Sequence, residues 1–218
     1  MQDIVQSSNG VTLLGRGDST AADVAEALTI APLLIAADGG ADRALDLGLM
    51  PQAVIGDLDS LSARARAAIA ADRLHRIAEQ DSTDFTKCLM HVRAPFYLAL
   101  GFTGRRLDHT LATLGAVARH ADHCVMVVGE HDIAFRAPPC LALDLPVGTR
   151  LSLFPFGPAQ GRSTGLRWPI DGIAMEPAGV TGTSNEVTGP VRLWLDGPVL
   201  ILLPKAHLRP ALGAVGRL

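Results

Sequence analysis

Residues 33–60 read LLIAADGGADRALDLGLMPQAVIGDLDS, and this stretch sets the architecture. An apolar run, Leu33 to Ala37, ends in Asp38-Gly39-Gly40-Ala41-Asp42. Apolar residues at helical spacing follow from Ala41 to Leu47. A second apolar run, Ala53 to Ile55, then ends in Gly56-Asp57-Leu58-Asp59-Ser60. Short apolar runs alternating with helical periods predict parallel strands joined by helical crossovers. In such sheets ligands gather at the strand ends.

The same alternation extends outward from Val11 to about Arg136. Further strands are predicted at Val11 to Leu14, Leu74 to Ile77, Phe96 to Leu100 and Cys124 to Val128. Helices are predicted at Ala21 to Leu28, Ala63 to Ala71, Thr83 to Val92 and Leu107 to Arg119. After Pro138-Pro139 the composition shifts to Pro, Gly, Thr and β-branched residues in short segments, including Arg150 to Phe154, Arg192 to Leu195 and Val199 to Leu203. Phe156-Gly157-Pro158, Asp171-Gly172, Thr188-Gly189-Pro190 and Asp196-Gly197-Pro198 read as turns between antiparallel strands. The expected organisation is an α/β domain over 1–137 and a smaller β domain over 138–218.

Composition bounds the function. With 218 residues, 48% hydrophobic and 19% charged, and a net charge of −3, the chain is neither disordered nor a general nucleic-acid binder. Cys88, Cys124 and Cys140 are odd in number and widely spaced, which argues against a disulfide framework. The longest apolar run, Leu28 to Ala37, is interrupted by Pro32 and too short to span a bilayer, and the first ten residues lack a leader pattern. A soluble cytoplasmic protein is expected.

Four segments place carboxylates beside turns: 38–42, 56–60, Gln80-Asp81-Ser82-Thr83-Asp84, and Arg105-Arg106-Leu107-Asp108-His109. Asp57 and Asp59, two apart on extended chain, point to one side, and a Mg²⁺ ion relieves their repulsion while drawing in phosphate oxygens. A surface turn explains the same residues more simply. Asp84 is a third carboxylate candidate, although the 81–84 run also reads as a helix cap and Asp84 can pair with Lys87. Gly101-Phe102-Thr103-Gly104-Arg105-Arg106 combines glycines for close approach with an arginine fork for phosphate. Gly15-Arg16-Gly17-Asp18-Ser19-Thr20 also joins a strand to a helix but lacks the third glycine of the dinucleotide fingerprint. His120-Ala121-Asp122-His123 lacks the second cluster of a zinc site. In the second half, Trp168-Pro169 offers a flat surface, and Ser184-Asn185-Glu186 offers donors and acceptors for a heteroaromatic ring. A core tryptophan and a β-turn would give the same pattern.

In this order, these motifs resemble those of the thiamine pyrophosphokinase family. The resemblance runs from Asp38-Gly39-Gly40 to Ser184-Asn185-Glu186. It implies a Rossmann-like parallel-sheet N-terminal domain, a β-sandwich C-terminal domain, and a homodimer with thiamine near the subunit interface. It also implies transfer of a diphosphoryl group from ATP to the thiamine hydroxyl, giving thiamine diphosphate and AMP. Residue by residue, Asp57, Asp59 and Asp84 match the Mg²⁺-ATP positions, with Gln80 and Thr83 beside the nucleotide. Gly104 matches the family's glycine loop, and Arg106 and Asp108 match its arginine and aspartate after that loop. Asp38 matches the first acidic motif, and Trp168, Ser184 and Asn185 match positions associated with thiamine. Either Asp108 or Asp38 would orient the attacking hydroxyl. The chain departs from the pattern at Asp42, where Asn is usual, and at Arg105, where a second glycine is usual. Another heterocyclic alcohol such as a pterin as acceptor, or a non-catalytic nucleotide or thiamine sensor, would fit the same motifs.

Overall fold

The computed structural model describes residues 3–216. Their strands are β1 (Val5–Gln6), β2 (Val11–Leu14), β3 (Leu33–Ala37), β4 (Ala53–Gly56), β5 (Leu74–Arg76), β6 (Val92–Arg93), β7 (Tyr97–Leu100), β8 (Val125–Val128), β9 (Asp132–Arg136), β10 (Cys140–Leu143), β11 (Arg150–Pro155), β12 (Gln160–Leu166), β13 (Gly182–Asp196) and β14 (Val199–Pro204). The α-helices are α1 (Ala21–Ile30), α2 (Gly40–Asp46), α3 (Ala63–Ala68), α4 (Asp84–His91), α5 (Leu107–Arg119) and α6 (Leu208–Ala214). The chain divides into two compact units, one of residues 1–116 and 127–130, the other of 117–126 and 131–218. No helix among the described residues is long and apolar enough to cross a membrane.

In the first unit, β7, β2, β3, β4 and β5 lie side by side in that order, every pair parallel. Leu14 is level with Ala36 and Leu100, Ala37 with Ile55, and Gly56 with Arg76, so the C-terminal ends line up along one edge. The order reverses at β2, which has β3 on one side and β7 on the other. This is the switch point at which diverging loops leave room for a ligand.

Burial follows from that layering. All four residues of β2 and of β4 are buried, which explains why their sequences are continuous apolar runs rather than alternating ones. Ala36, Val54, Leu58, Leu61, Ala65 and Ile69 form one packed cluster under α2 and α3. Buried Thr12 donates its hydroxyl to the Ala31 carbonyl at 2.7 Å, satisfying a polar group inside the core. Thr20 starts α1 through a reciprocal cap with Asp23, and Thr83 starts α4 by accepting from the Thr86 amide.

In the second unit, β10, β13, β11, β14 and β9 are successive antiparallel neighbours, and β12 also pairs with β13. The 15-residue β13 pairs through Gly182, Asn185 and Glu186 with β11, and from Val187 onward with β12 and β10. The expected turn at Thr188-Gly189-Pro190 is therefore corrected: it lies inside β13. A Cβ on Gly165 (φ +74°) would stand 2.3 Å from the Pro190 carbonyl oxygen, and β12 shifts register at that point. Glycine and proline here mark an irregularity in a strand pair rather than a reversal. The sequence pattern also misses β9, β10, β12 and α6; β12 reads Gln-Gly-Arg-Ser-Thr-Gly-Leu and carries almost no apolar signal.

Candidate functional site

The loops after β2 and β7, on either side of the switch point, hold each other in place. Gly15 N–H donates to the Leu100 carbonyl at 2.8 Å, Gly17 N–H to Gly101 at 2.7 Å, and Asp18 N–H to Thr103 at 3.1 Å. A Cβ on Gly17 would meet the Gly101 and Thr103 carbonyl oxygens at 2.6 Å, so only glycine permits this approach. Gly104, at φ +81°, lies against the Asp18 carboxylate, which a Cβ there would meet at 2.1 Å. The loop at 15–20, a weak feature in the sequence, is thus half of the site's backbone frame.

A cleft of about 350 Å³ opens between these loops and the ends of β3 and α4. Arg16, Asp38, Ser60, Thr83, Asp84, Gly104, Arg106 and His109 line it. Carboxylates occupy one wall. Asp38, Asp57 and Asp59 each offer an oxygen within 4.8 Å of the others. Asp38 follows β3 in the left-handed region (φ 42°) and is 3% exposed. Its Oδ2 accepts from the Ser60 amide at 3.2 Å, whereas its Oδ1 is buried without a hydrogen-bond partner. Burial, partly offset by Ser60, pushes the Asp38 carboxyl up.

Leu58, at φ 64°, reverses the chain between Asp57 and Asp59. Asp57 accepts from the Asp59 amide at 3.1 Å and from the Gln80 side-chain amide at 3.1 Å, and these bonds hold its carboxyl below the usual range. Asp84 opens α4 beside Asp38, as the space at Gly56 shows: a Cβ there would stand 2.8 Å from Asp38 Cβ and 3.0 Å from Asp84 Oδ1. Burial first, then the Asp38 charge, pushes the Asp84 carboxyl up. Lys87, 2% exposed, reaches Asp84 Oδ1 at 3.5 Å. Spacing alone makes this pair an ordinary helix-surface contact. The burial of α4, whose residues 85–89 are all buried, makes it an interior one.

On the other wall, Arg106 grips Asp108 through Nε at 3.2 Å and Nη2 at 2.6 Å, with both side chains exposed. That fork is the geometry with which arginine also meets phosphate. Arg105, at φ 28°, turns to Asp18 instead, donating through Nε to Oδ1 at 3.0 Å. Asp42 is likewise turned to a structural use: it accepts from the Ser62 amide at 3.0 Å and from the Ser62 hydroxyl, joining α2 to the start of α3.

The residues singled out in the second half come together in the second unit. Asn185, 3% exposed, donates its side-chain amide to the Trp168 carbonyl at 2.6 Å and accepts from the Trp168 amide at 3.1 Å. This closed pair holds the Trp168 backbone while the indole remains 54% exposed with the Arg167 guanidinium 4.9 Å above it. Ser184, at φ 58°, donates its amide to Ser152 Oγ at 3.0 Å, next to the register shift between β11 and β13.

Two family models divide the chain between them. One, described as the catalytic domain of thiamin pyrophosphokinase, matches residues 24–128, and the other, its vitamin B1 binding domain, matches residues 140–200. Thiamine pyrophosphokinase 1 of rice (Oryza sativa subsp. japonica) is 26% identical over 191 residues, covering 72% of each chain. Thiamin pyrophosphokinase 1 of Caenorhabditis elegans is 26% identical over 155 residues, covering 63% of each. In fold, the chain is similar to thiamin pyrophosphokinase from Candida albicans, with a TM-score of 0.78 at 15% identity over 93% of both chains. It is also similar to the Bacillus subtilis thiamine pyrophosphokinase, with a TM-score of 0.70 at 22% identity over 89% of this chain and 98% of the other. With both characteristic halves matched in order, the chain belongs to the thiamin pyrophosphokinase family.

Proposed function

We propose that the protein transfers the diphosphoryl group of ATP to the hydroxyl of thiamine, releasing AMP. The observation that carries this reading is the meeting of Asp38, Asp57, Asp59 and Asp84 at adjacent parallel strand ends, facing the glycine loop that ends in Arg106. Carboxylates alone form this cluster, and one of their oxygens, Asp38 Oδ1, is buried without a partner. A hard divalent cation fits such a donor set. Asp57, Asp59 and Asp38 would hold Mg²⁺, with Asp84 closing the group from α4. The ion would supply charge neutralisation at the phosphate oxygens.

The chain's own groups perform the rest. Gln80 steadies Asp57, Lys87 steadies Asp84, and Thr83 fixes the start of α4 beside the nucleotide. Gly17 and Gly104 let the two loops pack against each other and so frame the phosphate site, and Arg106 exchanges its hold on Asp108 for phosphate oxygens. Asp108 then orients the acceptor hydroxyl. Released by Arg106, its exposed carboxylate accepts a hydrogen bond from that hydroxyl. That suffices for a loose phosphoryl-transfer transition state, in which positioning and charge stabilisation dominate.

In this reading the first part of the chain is a Rossmann-like nucleotide domain and the second a β-sandwich. Trp168, held by Asn185, presents its ring to thiamine, and Ser184 lies in the same strand as Asn185. Two copies form the working enzyme in the cytoplasm. Purified protein given ATP and Mg²⁺ should release AMP only when thiamine is added, with thiamine diphosphate detected by mass. ATP binding without thiamine-dependent AMP would overturn the reading in favour of another acceptor or a sensor.

A further inference from the structure

The turn that follows α5 brings together a second set of metal-ligating side chains, of a different chemical kind. His120, Asp122 and His123 each present a donor atom within 4.8 Å of the others, the one such group besides the Asp38 cluster among the described residues. The backbone of the turn is fixed. Ala121 N–H donates to the Arg119 carbonyl and His123 N–H to the His120 carbonyl, each at 3.1 Å. The two imidazole rings stand 5.8 Å apart between centroids in a T-shaped arrangement, at 85°, and a nitrogen of each still lies within 4.8 Å of a nitrogen of the other. His123 Nδ1 lies 3.0 Å from Asp122 Oδ1.

A second observation is independent of the spacing. His120 Nε2 is buried from solvent and has no hydrogen-bond partner. A buried polar nitrogen so placed is unfavourable unless something binds it. With no hydrogen bond made, this nitrogen is open to coordination. The charged groups nearest His120 are Asp122, which favours a cation, and Arg119, which opposes one.

We infer that His120, Asp122 and His123 form a binding site for a borderline transition-metal ion of the Zn²⁺, Co²⁺ or Ni²⁺ class. Two imidazoles and one carboxylate suit these ions, whereas Mg²⁺ prefers an all-oxygen set. Bonds of about 2.0–2.2 Å need neighbouring donors roughly 3–3.5 Å apart, so small rotamer adjustments close the site. All three ligands come from four consecutive residues at the C-terminal end of α5, the end away from Arg106 and Asp108. The bound ion would staple the turn between α5 and β8 and complete its coordination with water. It takes no part in phosphoryl transfer.

The test uses the full purified chain, stripped of metal and free of nucleotide, titrated with Zn²⁺ alone by calorimetry and with Co²⁺ alone by visible absorption. One equivalent of Zn²⁺ should bind, Co²⁺ should give a ligand-field band that Zn²⁺ abolishes, and Asp57→Asn should leave both signals intact. His120→Gln should weaken Zn²⁺ binding at least tenfold while Mg²⁺-dependent turnover is unchanged. Asp122→Asn, at an exposed position, should weaken it severalfold and decides the matter if the histidine variant does not fold. Absence of Zn²⁺ binding, or equal affinity in wild type and the folded variants, would overturn the assignment. Because the readout is metal binding and not turnover, its failure is separate from failure of the pyrophosphokinase reading.

Discussion

The acidic end of the parallel sheet and the Trp168–Asn185 region use polar residues in opposite ways. At the sheet end, polar groups are left with capacity to spare: Asp38 Oδ1 is buried and unpartnered, and Asp38 and Asp84 are both pushed up by burial. Around Trp168, the buried polar group is fully engaged, since Asn185 meets both the amide and the carbonyl of Trp168. In the proposed function the first arrangement gathers carboxylate charge that an incoming cation neutralises. The second spends its hydrogen bonds on holding one aromatic surface still. In the proposed function chemistry belongs to the first region and recognition to the second, so substitutions in each should differ in what they change.

The largest effect is expected at Asp57. Its hydrogen bonds with Asp59 and Gln80 hold it ionised at the mouth of the cluster, so Asp57→Asn removes charge while keeping shape. Turnover should fall by about 10³-fold, the scale of losing a main electrostatic contact to a transition state. Circular dichroism should be unchanged. A variant with near-normal activity at limiting Mg²⁺ would remove Asp57 from the metal group and erase the contrast between the two regions.

Lys87 comes next, with an effect on stability. Its side chain is 2% exposed and its ammonium faces Asp84. Breaking a fully buried pair from one side costs about 3–5 kcal/mol, and the cost here is smaller because Asp84 is 34% exposed and water screens the charge left behind. Lys87→Met should therefore lower the urea midpoint, and adding Asp84→Asn should restore much of it. Failure of the second substitution to restore stability would show that Lys87 acts through packing of its stem instead.

At Trp168 the prediction is confined to binding. Trp168→Ala should raise the thiamine KM about tenfold with kcat changed less than twofold, in keeping with loss of one aromatic contact of about 1 kcal/mol or somewhat more. Asn185→Ala should do the same and also cost stability, since it leaves the Trp168 amide and carbonyl without their partner. A fall in kcat in the tryptophan variant would break the division between chemistry and recognition.

The raised carboxylates give a smaller effect of predictable sign. Asp38 and Asp84 have native pKa values above their unfolded ones. The stability they contribute is fully present below the unfolded value of about 3.9 and is lost as pH rises through the native values. Mg²⁺ should offset that loss, so the Mg²⁺-induced rise in Tm should grow from acid to neutral pH, by a few degrees. Asp38→Asn should flatten it. A rise of equal size at all pH values in the wild type would show that the ion does not meet these carboxylates.

Much of the first unit was legible in the sequence because buried parallel strands print as continuous apolar runs. Val11–Leu14 and Leu33–Ala37 coincide with their predicted limits, and α5 does as well. The second unit was less legible. The polar β12 has no apolar pattern, and Gly189-Pro190 carries the chemistry of a turn inside a strand. At the site, the acidic motifs were visible because they end apolar runs. The burial of Lys87 was not, since it comes from the packing of α4, nor was the framing role of Gly15, Gly17 and Asp18, which comes from pairing between distant loops. His120 and His123 were visible as residues, but the convergence of their donor atoms depends on a turn geometry that spacing alone does not fix.

The smallest effect is expected where the chain leaves the family's pattern. Arg105 occupies a left-handed position, at φ 28°, where the family resemblance led to the expectation of a glycine. Its guanidinium meets Asp18 at 3.0 Å, with both partners well exposed, 69% and 48%. An exposed pair of this kind contributes about 0–1 kcal/mol, and glycine would relieve the backbone at the same position. The two terms are similar in size and opposite in sign. Arg105→Gly should therefore change stability by less than about 1 kcal/mol and leave turnover within about threefold of wild type. Asp18→Ala should be the worse of the two, because Asp18 also accepts from the Arg105 amide and packs against Gly104. A large loss of turnover in Arg105→Gly with Asp18→Ala unharmed would mean that Arg105 leaves Asp18 to hold phosphate during the reaction, as proposed above for Arg106 and Asp108.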